Sequence, residues 1–346
     1  MKDISQIDKN FKVETKLDIP NVRFYNVLEE PFKVYGVYHE KDKFRRMSED
    51  VAKTVSEGVY WLNFCTAGGR VRFKTDSTYI AIHAKMPPIE LSPHFAITGR
   101  CGFDLYLGNS YFKTFVPPVE SKDGYESIIQ FGSSKMREIT INFPLYHPVH
   151  NLYIGLGESA SVLPPEPYKT ELPIVYYGSS ITQGACASRP GNCYQNFISR
   201  QISADYLNLG FSGNAKGEDE MSDYISGLSM SAFVYDYDYN APTVEYLQET
   251  HEKMFKKIRA ANPNLPIIML SRPRCNLSKD DLQRLEVIKT TYRNAVDCGD
   301  KNVYLIEGPK LMELAGNDGT VDDCHPNDLG FASMAKAIGD VLEKIL

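Results

Sequence analysis

The chain lacks the features that mark several classes of protein. It has no run of about 20 apolar residues, so the sequence predicts no membrane-spanning helix. It has no excess of positive charge, since its formal net charge is -6, and a nucleic-acid partner would find no electrostatic support. Low-complexity tracts and internal repeats are also missing. These absences favour a globular protein whose partner is neither a membrane nor a nucleic acid.

Cysteine is scarce, and the number of cysteines is odd. Seven of them are spread from Cys65 to Cys324. The N-terminal stretch MKDISQIDKNFKVE carries charges every few positions and has no apolar segment of a secretory signal. We therefore expect free thiols and a cytoplasmic location. A disulfide between Cys186 and Cys193 is the alternative, and the reduced state is preferred.

Hydrophobic patterning divides the 346 residues into two parts, as the length also suggests. The first part alternates with period two: in RVRFKT, Val71, Phe73 and Thr75 share one face. Such runs, separated by turn residues and without a convincing helical window, predict an antiparallel β-sandwich. Trp61, in VYWLNF, is interpreted as a buried strand residue.

The second part alternates continuous apolar runs with helical windows. This pattern predicts an α/β domain with a parallel sheet. The predicted domains are residues 1–165 and 172–346, and they meet in the proline-rich segment 161–173. The strand candidates are PIVYYG, DYLNLGFS, SAFVYDYD, PIIMLSRP and NVYLIEG, and the helix candidates are Tyr194–Ala204, Glu218–Gly227, Thr243–Ala261, Asp280–Val296 and Leu329–Ile345.

A candidate nucleophile follows the first strand of this sheet. In PIVYYGSSITQGA, residues 173–185, the apolar run ends in Gly178, and Ser180 comes just beyond it. Ligands of open parallel sheets bind beyond the carboxyl ends of the strands, so a hydroxyl at this position faces the expected site. Taken alone, an ordinary polar turn explains the same residues.

A serine hydroxyl needs a base, and the base needs an orienting group. The loop DDCHPNDLG, before the last helix, offers both as Asp322-x-x-His325. The neighbouring Asp323 competes with Asp322 as the orienting carboxylate, and the sequence leaves this choice open. A helix-entry loop capped by Asn327 or Asp328 is the structural explanation, but it gives no reason for Asp322 and His325.

Donors for an oxyanion are found after the second and third strands. Gly213 ends NLGFSG, where its backbone N–H is accessible, and Asn240 ends VYDYDYN, where its side-chain amide can donate. Because the carboxyl ends of parallel strands share one sheet edge, we expect these residues to converge with Ser180.

This set resembles the SGNH, or GDSL-type, hydrolase superfamily, over roughly residues 172–346. Two segments depart from the pattern: Ser179 replaces the family's aspartate before the serine, and Asp238-Tyr239-Asn240-Ala241 replaces the family's Gly-x-Asn-Asp. Neither change removes a side chain with a catalytic role in the family. The matching positions are Ser180, Gly213, Asn240, Asp322 and His325.

A second resemblance lies in the first half. Residues 102–106, Gly-Phe-Asp-Leu-Tyr, are similar to the GxDLY signature of β-sandwich domains that precede certain SGNH esterases. The whole arrangement resembles two-domain carbohydrate acetylesterases, which implies a jelly-roll-like β-sandwich followed by a three-layer, flavodoxin-like SGNH domain. For Asp104 we predict a structural role at a strand edge.

The resemblance implies a serine esterase that removes acetyl or another short acyl group from a carbohydrate. Ser180, His325 and Asp322 would form the triad, and the Ser180 and Gly213 N–H groups would hold the oxyanion together with the Asn240 amide. No metal or organic cofactor is expected, and the partner is a small-molecule or oligosaccharide ester. The alternatives are a lipid or aryl acylhydrolase, a thioesterase and a non-catalytic carbohydrate-binding protein. The oligomeric state stays open.

Other polar residues are given structural explanations. His147 and His150 lack a third ligand nearby, so a turn is preferred to a zinc site. Arg189, just after the nucleophile turn, either shapes the cleft or is a solvated loop residue. Two carboxylates at the third strand's end are expected to pair with arginines at the next strand's end, and not to bind a cation: Asp236 and Asp238 with Arg272 or Arg274.

Overall fold

The computed structural model describes residue 17 and residues 19–346. The prediction about a secretory signal falls on MKDISQIDKNFKVE and lies outside the described residues. Within the described residues, no helix is both long enough and apolar enough to cross a membrane.

The N-terminal domain consists of two antiparallel sheets with one apolar core between them. One sheet has the order β1-β11-β6-β9 and the other β12-β5-β10-β7-β8, with β2 paired to β5 and a separate β3-β4 hairpin. The sandwich predicted from the period-two alternation is confirmed. The strands are β1 Val22–Asn26, β2 Lys33–Tyr35, β3 Tyr38–Glu40, β4 Lys43–Arg45, β5 Arg70–Thr75, β6 Tyr79–Lys85, β7 Phe103–Leu107, β8 Ser110–Phe115, β9 Gly124–Gln130, β10 Arg137–Asn142, β11 Asn151–Gly157 and β12 Val162–Leu163.

Three short helices interrupt this domain, although the sequence showed no convincing helical window. They are α1 Glu49–Val55, α2 Glu57–Leu62 and α3 Ile97–Arg100. The interpretation of Trp61 as a buried strand residue is wrong, because it lies on α2 and is 61% exposed. The side chain of Ser56 caps α2 by accepting from the Val59 N–H at 3.1 Å. Val59 and Leu62, three residues apart, then point inward, which is a helical period.

The C-terminal domain is a five-stranded parallel sheet with the order β14-β13-β15-β16-β17, flanked by helices on both faces. The α/β prediction is confirmed. Its strands are β13 Thr170–Gly178, β14 Ala204–Gly210, β15 Ala232–Asp236, β16 Ile267–Leu270 and β17 Val303–Ile306, and its helices are α4 Ser180–Gln183, α5 Tyr194–Ile202, α6 Asp219–Ser226, α7 Val244–Ala261, α8 Lys279–Asp297, α9 Gly308–Leu311 and α10 Asp328–Ile345.

The central strand β13 sets the position of the site. Gly178 at its end is in register with Gly210 of β14 on one side and with Asp236 of β15 on the other. The three strands therefore end at one level. The chain passes from β13 to β14 on one side and then crosses back to β15 on the other side of β13. This reversal of strand order is the topological switch point where doubly wound sheets bind ligands.

Buried arginines join the two domains. Arg70 and Arg72 are on the opposite face of β5 from Val71 and Phe73, yet both are buried. Arg70 donates to the Tyr206 carbonyl at 3.3 Å and forms an ion pair with Asp205. The face of β5 that the alternation marked as polar is thus covered by the C-terminal domain.

Candidate active site

The nucleophile turn is built by a glycine and a capping serine. A Cβ on Gly178 would lie 1.9 Å from Oδ1 of Asp236, so only glycine fits at the end of β13. Ser179 caps α4 by accepting from the Ile181 N–H at 3.2 Å. The residue that departs from the family pattern therefore starts the short helix whose first residue is Ser180.

Three side chains, from two distant segments, form a connected chain of hydrogen bonds. Ser180 Oγ lies 2.9 Å from Nε2 of His325, and His325 Nδ1 lies 2.7 Å from Oδ2 of Asp322. Since the Asp322 carboxylate accepts a hydrogen bond from Nδ1 of His325, that nitrogen carries the proton. Nε2 is then free to accept a hydrogen bond from Ser180. Burial acts to raise the pKa of Asp322, but hydrogen bonds from the His325 backbone and ring outweigh it and hold the pKa below its ordinary value.

The structure resolves the choice between the two adjacent carboxylates. Asp322 also accepts from the His325 backbone N–H at 2.7 Å, which fixes the carboxylate under the ring. Asp323 is 86% exposed and forms an ion pair with Arg274. Asn327, not Asp328, caps the helix α10 that follows this loop. Asp322 is therefore the residue placed to orient His325.

The loops that carry Gly213 and Asn240 are fastened to each other and to α4. Gln183, on the same short helix as Ser180, accepts from the Ser212 N–H at 3.0 Å. Asn240 Oδ1 accepts from the Ala215 N–H at 3.3 Å, so its amide nitrogen remains the available donor. Gly213 is exposed, has a left-handed φ of 69°, and no atom lies within 4 Å of where its Cβ would be. An incoming group can therefore reach its backbone.

The two acidic residues at the end of β15 have different partners. Asp238 pairs with Arg272 (3.7 Å between Oδ2 and Nε), as predicted. The ion-pair prediction is wrong for Asp236, whose Oδ1 accepts from the Thr182 hydroxyl at 2.5 Å and from the Ser179 N–H at 3.4 Å. Burial raises the pKa of Asp236 to about 7 and that of Asp238 to about 6. Asp236 thus holds the nucleophile turn from beneath.

Asp104 of the GxDLY segment joins the domains. Its buried carboxylate accepts from the Gly191 N–H at 2.8 Å and from Arg189 at 3.0 Å. The strand-edge prediction is wrong, because β7 lies inside its sheet between β10 and β8. Arg189 is not a solvated loop residue, since it is held by this carboxylate and lies 3.8 Å over the Tyr111 ring.

Comparisons with known proteins agree with this geometry. Residues 171–343, half of the chain, match the profile described as GDSL-like lipase/acylhydrolase family. The chain belongs to this family. Residues 22–162 match the GxDLY profile, described as the N-terminus of an SGNH-hydro-type esterase. The protein is thus a carboxylic ester hydrolase, and the resemblance read from the sequence is confirmed.

Solved structures show the same two-domain fold. A protein described as a GDSL-like lipase, from Bacteroides ovatus, is 27% identical, covers 94% of this chain and 98% of its own, and has a TM-score of 0.84. The salicylyl-acyltransferase SsfX3 from a tetracycline biosynthetic pathway is 15% identical, with coverages of 95% and 99% and a TM-score of 0.77. The acetyl xylan esterase Est2A from Butyrivibrio proteoclasticus is 14% identical, with coverages of 93% and 98% and a TM-score of 0.60. No curated protein matches.

Sequence reasoning missed the residues that the N-terminal domain of this GDSL-family hydrolase brings to the site. The Tyr146 hydroxyl donates to the Ser180 carbonyl at 3.0 Å. The His94 ring lies 5.9 Å from the His325 ring, measured between centroids. No motif marks either residue, because their positions depend on how the domains dock. His147 and His150 lie in the connection between β10 and β11, as predicted.

Proposed function

We propose that this protein removes acetyl or another short acyl group from a carbohydrate through a Ser-His-Asp mechanism. The observation that carries the proposal is the hydrogen-bonded series of Ser180, His325 and Asp322, with atoms 2.9 Å and 2.7 Å apart. Ser180 Oγ attacks the ester carbonyl while His325 Nε2 takes its proton. Asp322 keeps Nδ1 protonated and stabilises the imidazolium.

Negative charge then develops on the carbonyl oxygen. The backbone N–H groups of Ser180 and Gly213 and the amide of Asn240 are assigned to hold it. His325 returns its proton to the departing alkoxide, which leaves an acyl group on Ser180. A water molecule, deprotonated by His325, releases the acid and regenerates the hydroxyl.

Two observations support a short acyl group on a sugar. One cavity, of about 860 Å³, is lined by residues of α7, α8 and the loop after α8, including Phe255, Arg259 and Cys298. Its lining includes neither Ser180 nor His325, so this cavity does not offer a long acyl chain space at the nucleophile. Est2A, described as an acetyl xylan esterase, shares the fold across both domains.

The test is a substrate panel with a matched variant. Acetylated oligosaccharides, p-nitrophenyl esters of increasing chain length, acyl thioesters and lipids are assayed for released acid. Ser180→Ala should lower turnover on the preferred substrate at least about a thousandfold while the fold is unchanged by circular dichroism. Variant activity equal to that of the wild-type protein would remove the mechanism.

The same panel separates the rival functions. A preference for long-chain esters or thioesters would indicate an acylhydrolase or thioesterase of the same family. Product analysis with an added alcohol would detect acyl transfer, the reaction class named for SsfX3. Preferred release of acetate from an oligosaccharide supports the proposal.

A further inference from the structure

A second cluster of chemically reactive side chains surrounds the proposed base. His94, Cys186 and His325 each offer one nitrogen or sulfur atom, and these three atoms lie within 4.8 Å of one another. The residues come from three separate segments: the loop before α3, the turn after α4 and the loop before α10. The proposed ester hydrolysis uses His325, but neither His94 nor Cys186 has a role in it.

The three donors match the ligands of one class of metal ion. Two imidazole nitrogens and one sulfur are the donor set of zinc, with Zn–N of about 2.0–2.1 Å and Zn–S of about 2.3 Å. Hard cations such as Mg²⁺ and Ca²⁺ take oxygen ligands instead. Tetrahedral coordination needs donors about 3.5 Å apart, so a shift of about 1 Å closes the cluster. His94 is exposed and free to make that shift.

The remaining two ligands are held in place by the fold. Cys186 is buried, and its backbone N–H donates to the Pro326 carbonyl at 2.9 Å. That hydrogen bond ties the cysteine to the residue directly after His325. The Asp322 carboxylate beside the His325 ring adds a negative charge close to the cluster. Cys186 and the His325 ring are therefore held close together by the fold, and a dication would find a favourable field there.

We propose that His94, Cys186 and His325 bind Zn²⁺, with water in the fourth position, and that the bound ion stops ester hydrolysis. Binding releases the thiol proton of Cys186 to solvent. Both ring nitrogens of His325 are engaged in the triad, Nε2 with Ser180 and Nδ1 with Asp322. Coordination through Nε2, the unprotonated nitrogen, displaces the hydrogen bond from Ser180 and removes the base. The inhibition rests on the proposed function, whereas the binding does not.

Binding is tested without reference to activity. Zn²⁺ is titrated calorimetrically into the purified full-length chain, and Co²⁺ is titrated while the thiolate-to-cobalt absorption band is followed. We expect one ion per chain, and Cys186→Ser should abolish the band and weaken Zn²⁺ binding by at least about 100-fold. His94→Ala, at an exposed position that cannot disturb the core, should also weaken binding.

A thiol elsewhere provides the matched control. Cys298 is exposed and lines the cavity beside α8, so Cys298→Ser should bind Zn²⁺ as the wild-type chain does. Ser180→Ala removes no ligand and should bind Zn²⁺ as well. Equal Zn²⁺ affinity in the wild-type, Cys186→Ser and His94→Ala chains would overturn the site.

Inhibition is tested on the same variants with a p-nitrophenyl acetate assay. For each variant the rate with Zn²⁺ is divided by its own metal-free rate, so changes in basal activity cancel. The Zn²⁺ concentration that halves the rate should match the measured Kd, rise in parallel in Cys186→Ser and His94→Ala, and be reversed by a chelator. Hydrolysis that persists with Zn²⁺ saturating the site would overturn the inhibition while the proposed function stands. A chain that binds Zn²⁺ through Cys186 but hydrolyses no ester would keep the site and overturn both the proposed function and the inhibition.

Discussion

At the scale of single residues, protonation decides what the candidate site can do. His325 can accept a proton from Ser180 only while its Nδ1 is the protonated nitrogen. Asp322 enforces that tautomer from 2.7 Å, and the adjacent Asp323 is turned away toward Arg274. Two neighbouring residues with the same chemistry therefore have different tasks.

Asp322→Asn should lower kcat for ester hydrolysis by about 10⁴-fold, because the amide favours the wrong His325 tautomer. Asp323→Asn is the matched control and should change kcat by less than about tenfold, since it loses only an exposed ion pair. Steady-state kinetics on p-nitrophenyl acetate measures both. Equal losses in the two variants would contradict the assignment of Asp322.

A buried carboxyl beneath the nucleophile should make stability depend on pH. The pKa of Asp236 is about 7 in the folded protein, against about 3.9 when unfolded. Between these values the folded state binds more protons, so this group's contribution to the free energy of unfolding falls as pH rises.

The expected size of this effect can be measured with one variant. Relative to Asp236→Asn, the wild-type chain should lose roughly 1.4 kcal/mol of unfolding free energy per pH unit between about pH 4 and pH 7. Urea unfolding of both proteins at several pH values gives the difference. A difference that does not change with pH would mean that Asp236 does not titrate in this range.

At the scale of elements, one loop links the N-terminal domain to both ends of the triad. Residues 188–192 follow the nucleophile helix α4 and contact Asp104 on β7. The same loop donates to Asp328, at the start of α10, from the Ser188 N–H at 2.8 Å and from Asn192 at 2.8 Å. It therefore fixes the helix that follows His325 relative to the helix that carries Ser180.

Arg189→Ala should lower the free energy of unfolding by about 3–5 kcal/mol, because it leaves the fully buried Asp104 carboxylate without its cation. Asp104→Asn should cost less, since Arg189 is partly exposed and can reach solvent. Urea unfolding at neutral pH compares the two. A larger loss of unfolding free energy in Asp104→Asn than in Arg189→Ala would contradict the argument that the unpaired, buried carboxylate sets the cost.

The local sequence pattern predicted the elements of the C-terminal domain well, because its strands are buried on both faces. The five strands of the parallel sheet and their helices lie close to the predicted segments. A short continuous apolar run is compatible with few structures other than a buried strand. The helix Glu57–Leu62 was missed because six residues are too few to separate helical from strand periodicity. There the Ser56 cap, and not the apolar pattern, determined the conformation.

At the scale of the whole molecule, the domains share buried polar groups. Arg46 is buried between them and donates to the carbonyls of Leu62 at 2.6 Å and Asn208 at 3.2 Å, and it lies 4.5 Å over the Phe211 ring. Burial lowers its pKa to about 10. Separation of the domains would expose this interface, so neither is expected to unfold alone.

We therefore expect a single calorimetric unfolding transition for the full chain, with equal calorimetric and van't Hoff enthalpies. Arg46→Ala should lower the Tm, because it leaves buried carbonyls unpaired at a cost of about 1–3 kcal/mol each. Differential scanning calorimetry tests both statements. Two separate transitions in the wild-type chain would show that the domains unfold independently.

The sequence by itself determined the fold class, the family and the set of candidate residues. Strand periodicity and the order of Ser180, Gly213, Asn240 and Asp322-x-x-His325 are local or follow from where parallel strands end. Only the tertiary structure decided which carboxylate meets His325, how Arg189 and Asp104 join the domains, and that His94 and Cys186 lie beside the base. The Asp322 contact depends on the conformation of one loop, the Cys186 contact on packing within the C-terminal domain, and the Asp104 and His94 contacts on how the domains dock. None of these leaves a period or motif in the chain.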